Sequence, residues 1–81
     1  MVEKKVKVRG DVLRSKKAGD FVEMVSKFNS SVYLEAQKKR VNAKRVIGVL
    51  SMNLNDGDTV SVLAGGDDEN RAIEAVIEYI V

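Results

Sequence analysis

Val32-Tyr33-Leu34-Glu35-Ala36, and then Val41-Asn42-Ala43-Lys44-Arg45-Val46-Ile47-Gly48-Val49-Leu50-Ser51-Met52, contain the change of period on which the fold turns. Val32, Leu34 and Ala36 have one parity and Tyr33 and Glu35 the other, which is the pattern of a strand buried on one side. After a break around Gln37, the stretch from Lys39 to Ala43 alternates again, with Val41 and Ala43 inward. From Arg45 to Met52 the alternation stops and the spacing suits a short helix.

Upstream, Lys16 to Phe28 places Ala18, Phe21, Val22, Val25 and Phe28 on one helical face, and Ser15 stands where an N-cap hydroxyl is wanted. Val2, Val6 and Val8 share a parity and predict a first strand over residues 2–8. Downstream, Asp56-Gly57 reads as a turn, and Thr59 to Ala64 as a strand with Val60, Val62 and Ala64 inward. Asp67-Asp68-Glu69 opens a last helix, where carboxylates suit the positive end of the dipole; Ala72, Ile73, Val76, Ile77 and Ile80 form its apolar stripe. The order is βαββαβα. It predicts an α+β open-faced sandwich, a four-stranded antiparallel sheet with three helices on one face and Tyr33 and Glu35 on the other.

The 81 residues are expected to form a single domain. With no cysteine and no histidine, disulfides, zinc or copper sites and imidazole acid–base chemistry are excluded. No metal or cofactor is expected. Met1-Val2-Glu3-Lys4-Lys5 is too charged for a signal peptide, and no apolar run is long enough to cross a bilayer, so a cytoplasmic protein is expected. Residues 1–45 hold 13 Lys and Arg against 5 Asp and Glu, a balance of +8, whereas residues 46–81 hold 1 against 7, a balance of −6. The dense groups Arg14-Ser15-Lys16-Lys17 and Lys38-Lys39-Arg40 with Lys44-Arg45 suit an anionic partner.

The element order and the motifs on it resemble HPr, the histidine-containing phosphocarrier of the phosphoenolpyruvate-dependent sugar phosphotransferase system, and its relative the catabolite-repression HPr. Val12-Leu13-Arg14-Ser15-Lys16-Lys17-Ala18 stands where that family writes Gly-Leu-His-x-Arg-Pro-Ala, followed by the shared Phe21-Val22. Val41 to Ser51 is close to the family's Val-Asn-x-Lys-Ser-Ile-Met-Gly-x-Met-Ser. Asp56-Gly57-Asp58-Thr59-Val60 and Gly66-Asp67-Asp68-Glu69 extend the resemblance over nearly the whole chain. The resemblance implies that Arg14 occupies the position of the phosphorylated histidine and Arg45 that of the regulatory serine. A guanidinium stays protonated and accepts no phosphoryl group, so phosphocarrier competence is lost. The resemblance also implies that Val46, Ile47 and Leu50 match an apolar patch offered to partners; on so short a helix the same three residues also read as its buried face, with Val49 sharing the role. The expected function is a non-catalytic regulatory or protein-binding module for phosphotransferase-system partners or a transcription regulator. Arg14, Ser15, Lys16, Lys17, Lys44 and Arg45 are the candidate anion- or partner-binding residues, and a tolerated surface on a diverged paralogue would account for the same charges.

Two other functions fit parts of the sequence. An acylphosphatase-like enzyme would fit Val8-Arg9-Gly10 ahead of a helix, but the rest of that family's phosphate loop is missing and Ser15 has no base to activate it, so no enzyme is expected. A nucleic-acid- or anion-binding α/β domain would suit the basic half, but only Tyr33 is available for base stacking and nucleic acid is not the expected partner.

Overall fold

The last strand in the sequence takes one of the two central places in the sheet. The computed structural model describes residues 1–81 except for the side chain of Ser15. Its elements are β1 (Val2–Lys7), α1 (Ser15–Val25), β2 (Ser31–Ala36), β3 (Lys39–Asn42), α2 (Val46–Ser51), β4 (Thr59–Gly65) and α3 (Glu69–Ile80). The sheet order is β1-β4-β2-β3, antiparallel throughout. β4 pairs Val2 with Ala64 on one edge and Val32 with Ala64 on the other, so its apolar parity is continuous with those of β1 and β2. Val32, Leu34, Val60, Val62 and Ala64 are buried with Phe21, Val25, Ala72 and Val76 of α1 and α3 in one core. Tyr33 and Glu35 lie on the opposite face, as their parity predicts; Leu63 and Ser61 of β4 are also on that face and are nevertheless buried. Lys4 faces Val62 and shares the parity of Val2 and Val6, yet stays exposed because β1 is an edge strand.

Several boundaries differ from the sequence reading, each for a tertiary reason. α1 stops at Val25 rather than running to Phe28. Lys27 and Phe28 donate to the carbonyls three residues back, tightening the end, and Phe28 still packs on the core. The residue at the N-cap is Arg14, extended and without a side-chain cap bond, so Ser15 is the first helical residue; the Ser15 hydroxyl lies outside the described residues. Asp68 is likewise at the cap of α3 but does not cap it. Its carboxylate instead accepts the backbone N–H groups of Asn29 and Ser30, each at 2.9 Å, and the Ser30 hydroxyl. This clamps the loop after α1 onto the turn before α3. Gly66 is required there: its φ is +149°, and a Cβ would lie 2.8 Å from the Ser30 Cα.

The β2–β3 hairpin closes through Gln37 and Lys38, with Ala36 paired to Lys39 and φ values of +52° and +65°. A two-residue loop with both φ positive matches strand twist but favours Asn-Gly over side chains with a bulky Cβ. Replacing Gln37→Asn and Lys38→Gly together is expected to stabilise the fold by about 1 kcal/mol, read as a rise in Tm of roughly 4–8 °C. The Asp68 clamp makes a second prediction. Hydrogen bonds from Ser30 and Asn29 hold its carboxyl at about 2, below the usual 3.8. A depressed carboxyl contributes stability that is complete above its unfolded value and is lost as pH falls toward 2. Denaturant titrations from pH 5 to pH 2 should therefore show a steeper acid decline for the native chain than for Asp68→Asn, which should start lower and fall less.

Candidate docking surface

The loop from Val8 to Arg14 joins β1 to α1, and the turn Asn55–Asp58 ahead of β4 holds it at three levels. Val8 donates to the Asp58 carbonyl and accepts from the Gly57 N–H, each at 2.8 Å. The Asp56 carboxylate accepts the Gly10 N–H at 2.7 Å, where φ of +68° suits glycine. The Arg14 guanidinium donates to the Asn55 side-chain oxygen at 2.7 Å. Leu13, fully buried, anchors the same loop in the core.

This arrangement sorts the loop cations. Lys17 Nζ meets the Asp11 carboxylate at 2.8 Å, which lowers the Asp11 pKa and raises that of Lys17, mainly through the shared hydrogen bond. The pair is solvent-exposed, so its net contribution to stability is small. No acidic residue lies in the first turn of α1 to offset its dipole. Arg14 and Lys16 are exposed. Of the second cationic group, Lys44 is half-buried and its ammonium donates to the Phe28 carbonyl at 2.7 Å, so it braces the α1–β2 loop rather than displaying charge. Arg45 is exposed at the cap of α2. Arg40 lies on the open sheet face, paired with Glu35 at 3.1 Å and 6.0 Å from the Tyr33 ring centre.

α2 resolves which apolar side chains are core. Val49 is fully buried and Met52 follows it inward, whereas Val46, Leu50 and Ile47 are 38%, 42% and 83% exposed. Gly48 seats this helix on the end of β3, where a Cβ would lie 3.4 Å from both the Asn42 carbonyl oxygen and the Val41 side chain. Arg45, Val46, Ile47 and Gly48 line a shallow surface depression. The sequence reading did not identify Asn55, Asp56 and Asp58 as supports of the loop. Their only local signal is a turn, and the loop residues that they hold, Arg14, Gly10 and Val8, lie 41, 46 and 50 residues away.

The family model described as the PTS HPr component phosphorylation site matches residues 2–81. The HPr-like protein Crh of Halalkalibacterium halodurans is 37% identical over 81 residues, spanning 99% of this chain and 96% of Crh. Crh of Bacillus subtilis is 38% identical, over 99% and 95%. The crystal structure of the phosphocarrier protein HPr from Bacillus anthracis superposes with a TM-score of 0.94 at 28% identity, covering 99% of this chain and 96% of that one.

The division on α2 is open to direct test. Val49→Ala should cost about 2 kcal/mol from two buried methyl groups and the space they leave. Ile47→Ser should change stability by less than about 0.5 kcal/mol, as for other surface changes. Urea titrations of the two variants check both.

Proposed function

Because this chain belongs to the HPr family and has no histidine with which to perform that family's phosphotransfer, we propose that it is a regulatory docking module, occupying protein partners of HPr without passing them phosphate. Proteins of this family are phosphocarriers or regulators rather than enzymes, and the matching relatives include the catabolite-repression HPr. The observation that carries the reading is the exposure of Ile47, Val46 and Leu50 on a helix that has already placed Val49 in the core. A small domain gains nothing in stability from leaving such side chains in water, and an apolar group rimmed by cations suits a protein interface. Arg45 lines the same depression as Val46 and Ile47, and Arg14 and Lys16 are exposed at the start of α1, with Lys17 and Lys44 largely engaged within the fold and Ser15 adjacent in sequence. The partners are soluble proteins of the phosphotransferase system or a transcription regulator, in the cytoplasm. Among the described residues no helix is long and apolar enough to cross a membrane, which agrees with that setting.

Enzyme I encoded in the same genome provides the test. With phosphoenolpyruvate it should leave no acid-labile phosphate on this chain, while an excess of the chain should slow phosphate transfer to a histidine-bearing HPr. Ile47→Ser should abolish most of that inhibition with the fold intact. Inhibition that is absent for the native chain, with the transcription regulator also failing to bind, would refute the docking role.

A further inference from the structure

Two carboxylates, Asp56 and Asp58, follow Asn55 in the turn, and yet it is the neutral amide of Asn55 that meets Arg14. Both carboxylates are directed elsewhere: Asp56 to the Gly10 N–H at 2.7 Å and Asp58 to the Asn55 N–H at 2.8 Å. The Asn55 side-chain nitrogen donates back to the Asn53 carbonyl at 3.4 Å, which turns the oxygen toward the guanidinium. Three residues further along the chain the opposite solution is used, and Lys17 is neutralised by Asp11. A carboxylate in place of Asn55 would fix Arg14 more firmly but cancel its charge; the amide fixes it and leaves the charge in place. The contact with Asn55 engages one guanidinium nitrogen, and a planar fork is suited to gripping a carboxylate with two parallel hydrogen bonds.

We infer that Asn55 is a positioning residue that holds Arg14 as an oriented, still-cationic receptor for a carboxylate on the docking partner. The inference rests on the docking reading but concerns a different group from the apolar patch. Orienting a long side chain before contact removes part of the entropy lost on binding. The segment Met52–Asn55 that carries the clasp leaves the C-terminal end of α2, where Asn53 donates to the Leu50 carbonyl, so the receptor is tied to the helix that bears the exposed apolar residues.

A hexaglutamate peptide serves as the carboxylate probe, titrated at low salt while the Arg14 Nε–Hε resonance is followed by NMR. In the native chain that resonance should shift on binding, and the side chain should relax as a rigid group. In Asn55→Leu, which keeps the backbone bond to Asp58, the Arg14 order parameter should fall below about 0.6. Peptide affinity at Arg14 should weaken roughly threefold to tenfold, the loss expected when one side chain must be immobilised on binding. In Asn55→Asp, Arg14 should remain rigid while affinity falls and its dependence on salt flattens, a combination that a purely structural role for Asn55 would not produce. An Arg14 side chain as rigid in Asn55→Leu as in the native chain, native affinity in Asn55→Asp, or no shift of Arg14 with the peptide would each overturn the inference. Loss of enzyme I inhibition in Ile47→Ser reads the apolar patch separately, so either reading can fail while the other stands.

Discussion

Strand β4 is hydrogen-bonded along both edges, to β1 and to β2, and its backbone therefore has no direction left in which to meet water. Val60, Val62 and Ala64 are closed off by the helices. On the other face, Leu63 lies between Glu3 and Tyr33 of the neighbouring strands and is buried without any covering layer. The remaining architecture follows from this double pairing. Bringing β1 and β2 to opposite sides of β4 obliges the chain between them to cross over the sheet, and α1 makes that crossing. The β1–α1 loop is thereby delivered to the end of β4, where the turn Asn55–Asp58 can hold it.

The sheet and helices were legible because their signals are local. Val32, Leu34 and Ala36 against Tyr33 and Glu35, or Ala72, Ile73 and Val76 along one stripe, encode a face by spacing alone. The capping residues were not legible, because a carboxylate near a helix start has several possible uses. Asp68 satisfies the Asn29–Ser30 backbone instead of its own helix, and no periodicity records a choice between partners 39 residues apart. Gln37 and Lys38 were seen only as a break, since neither residue type advertises a positive φ. On α2 the sequence left core and surface readings open for Val46, Ile47 and Leu50. Six residues give too little of a helical face to decide between them without knowing what lies beneath.

Charge shows the same division between what composition records and what geometry does with it. The basic first half of the chain suggests one broad cationic surface, but the fold distributes those groups among different tasks. Lys44 closes off a loop carbonyl, Lys17 answers Asp11, and Arg40 joins Glu35 beside Tyr33. What remains displayed near the two helix starts is a smaller set, Arg14, Lys16 and Arg45.

The register that pairs Val2 with Ala64 also bears on how the molecule is made. Contacts between residues so far apart in sequence close late, because the intervening chain must first be ordered. On the ribosome β1 is exposed well before β4 leaves the exit tunnel, and through that interval it is a strand with no neighbour. Lys4, Lys5 and Lys7 give it charge on both faces, a protection against pairing with strands of other nascent chains. The inward-facing Lys4, which adds nothing to the finished core, makes sense as a safeguard for the unfinished one.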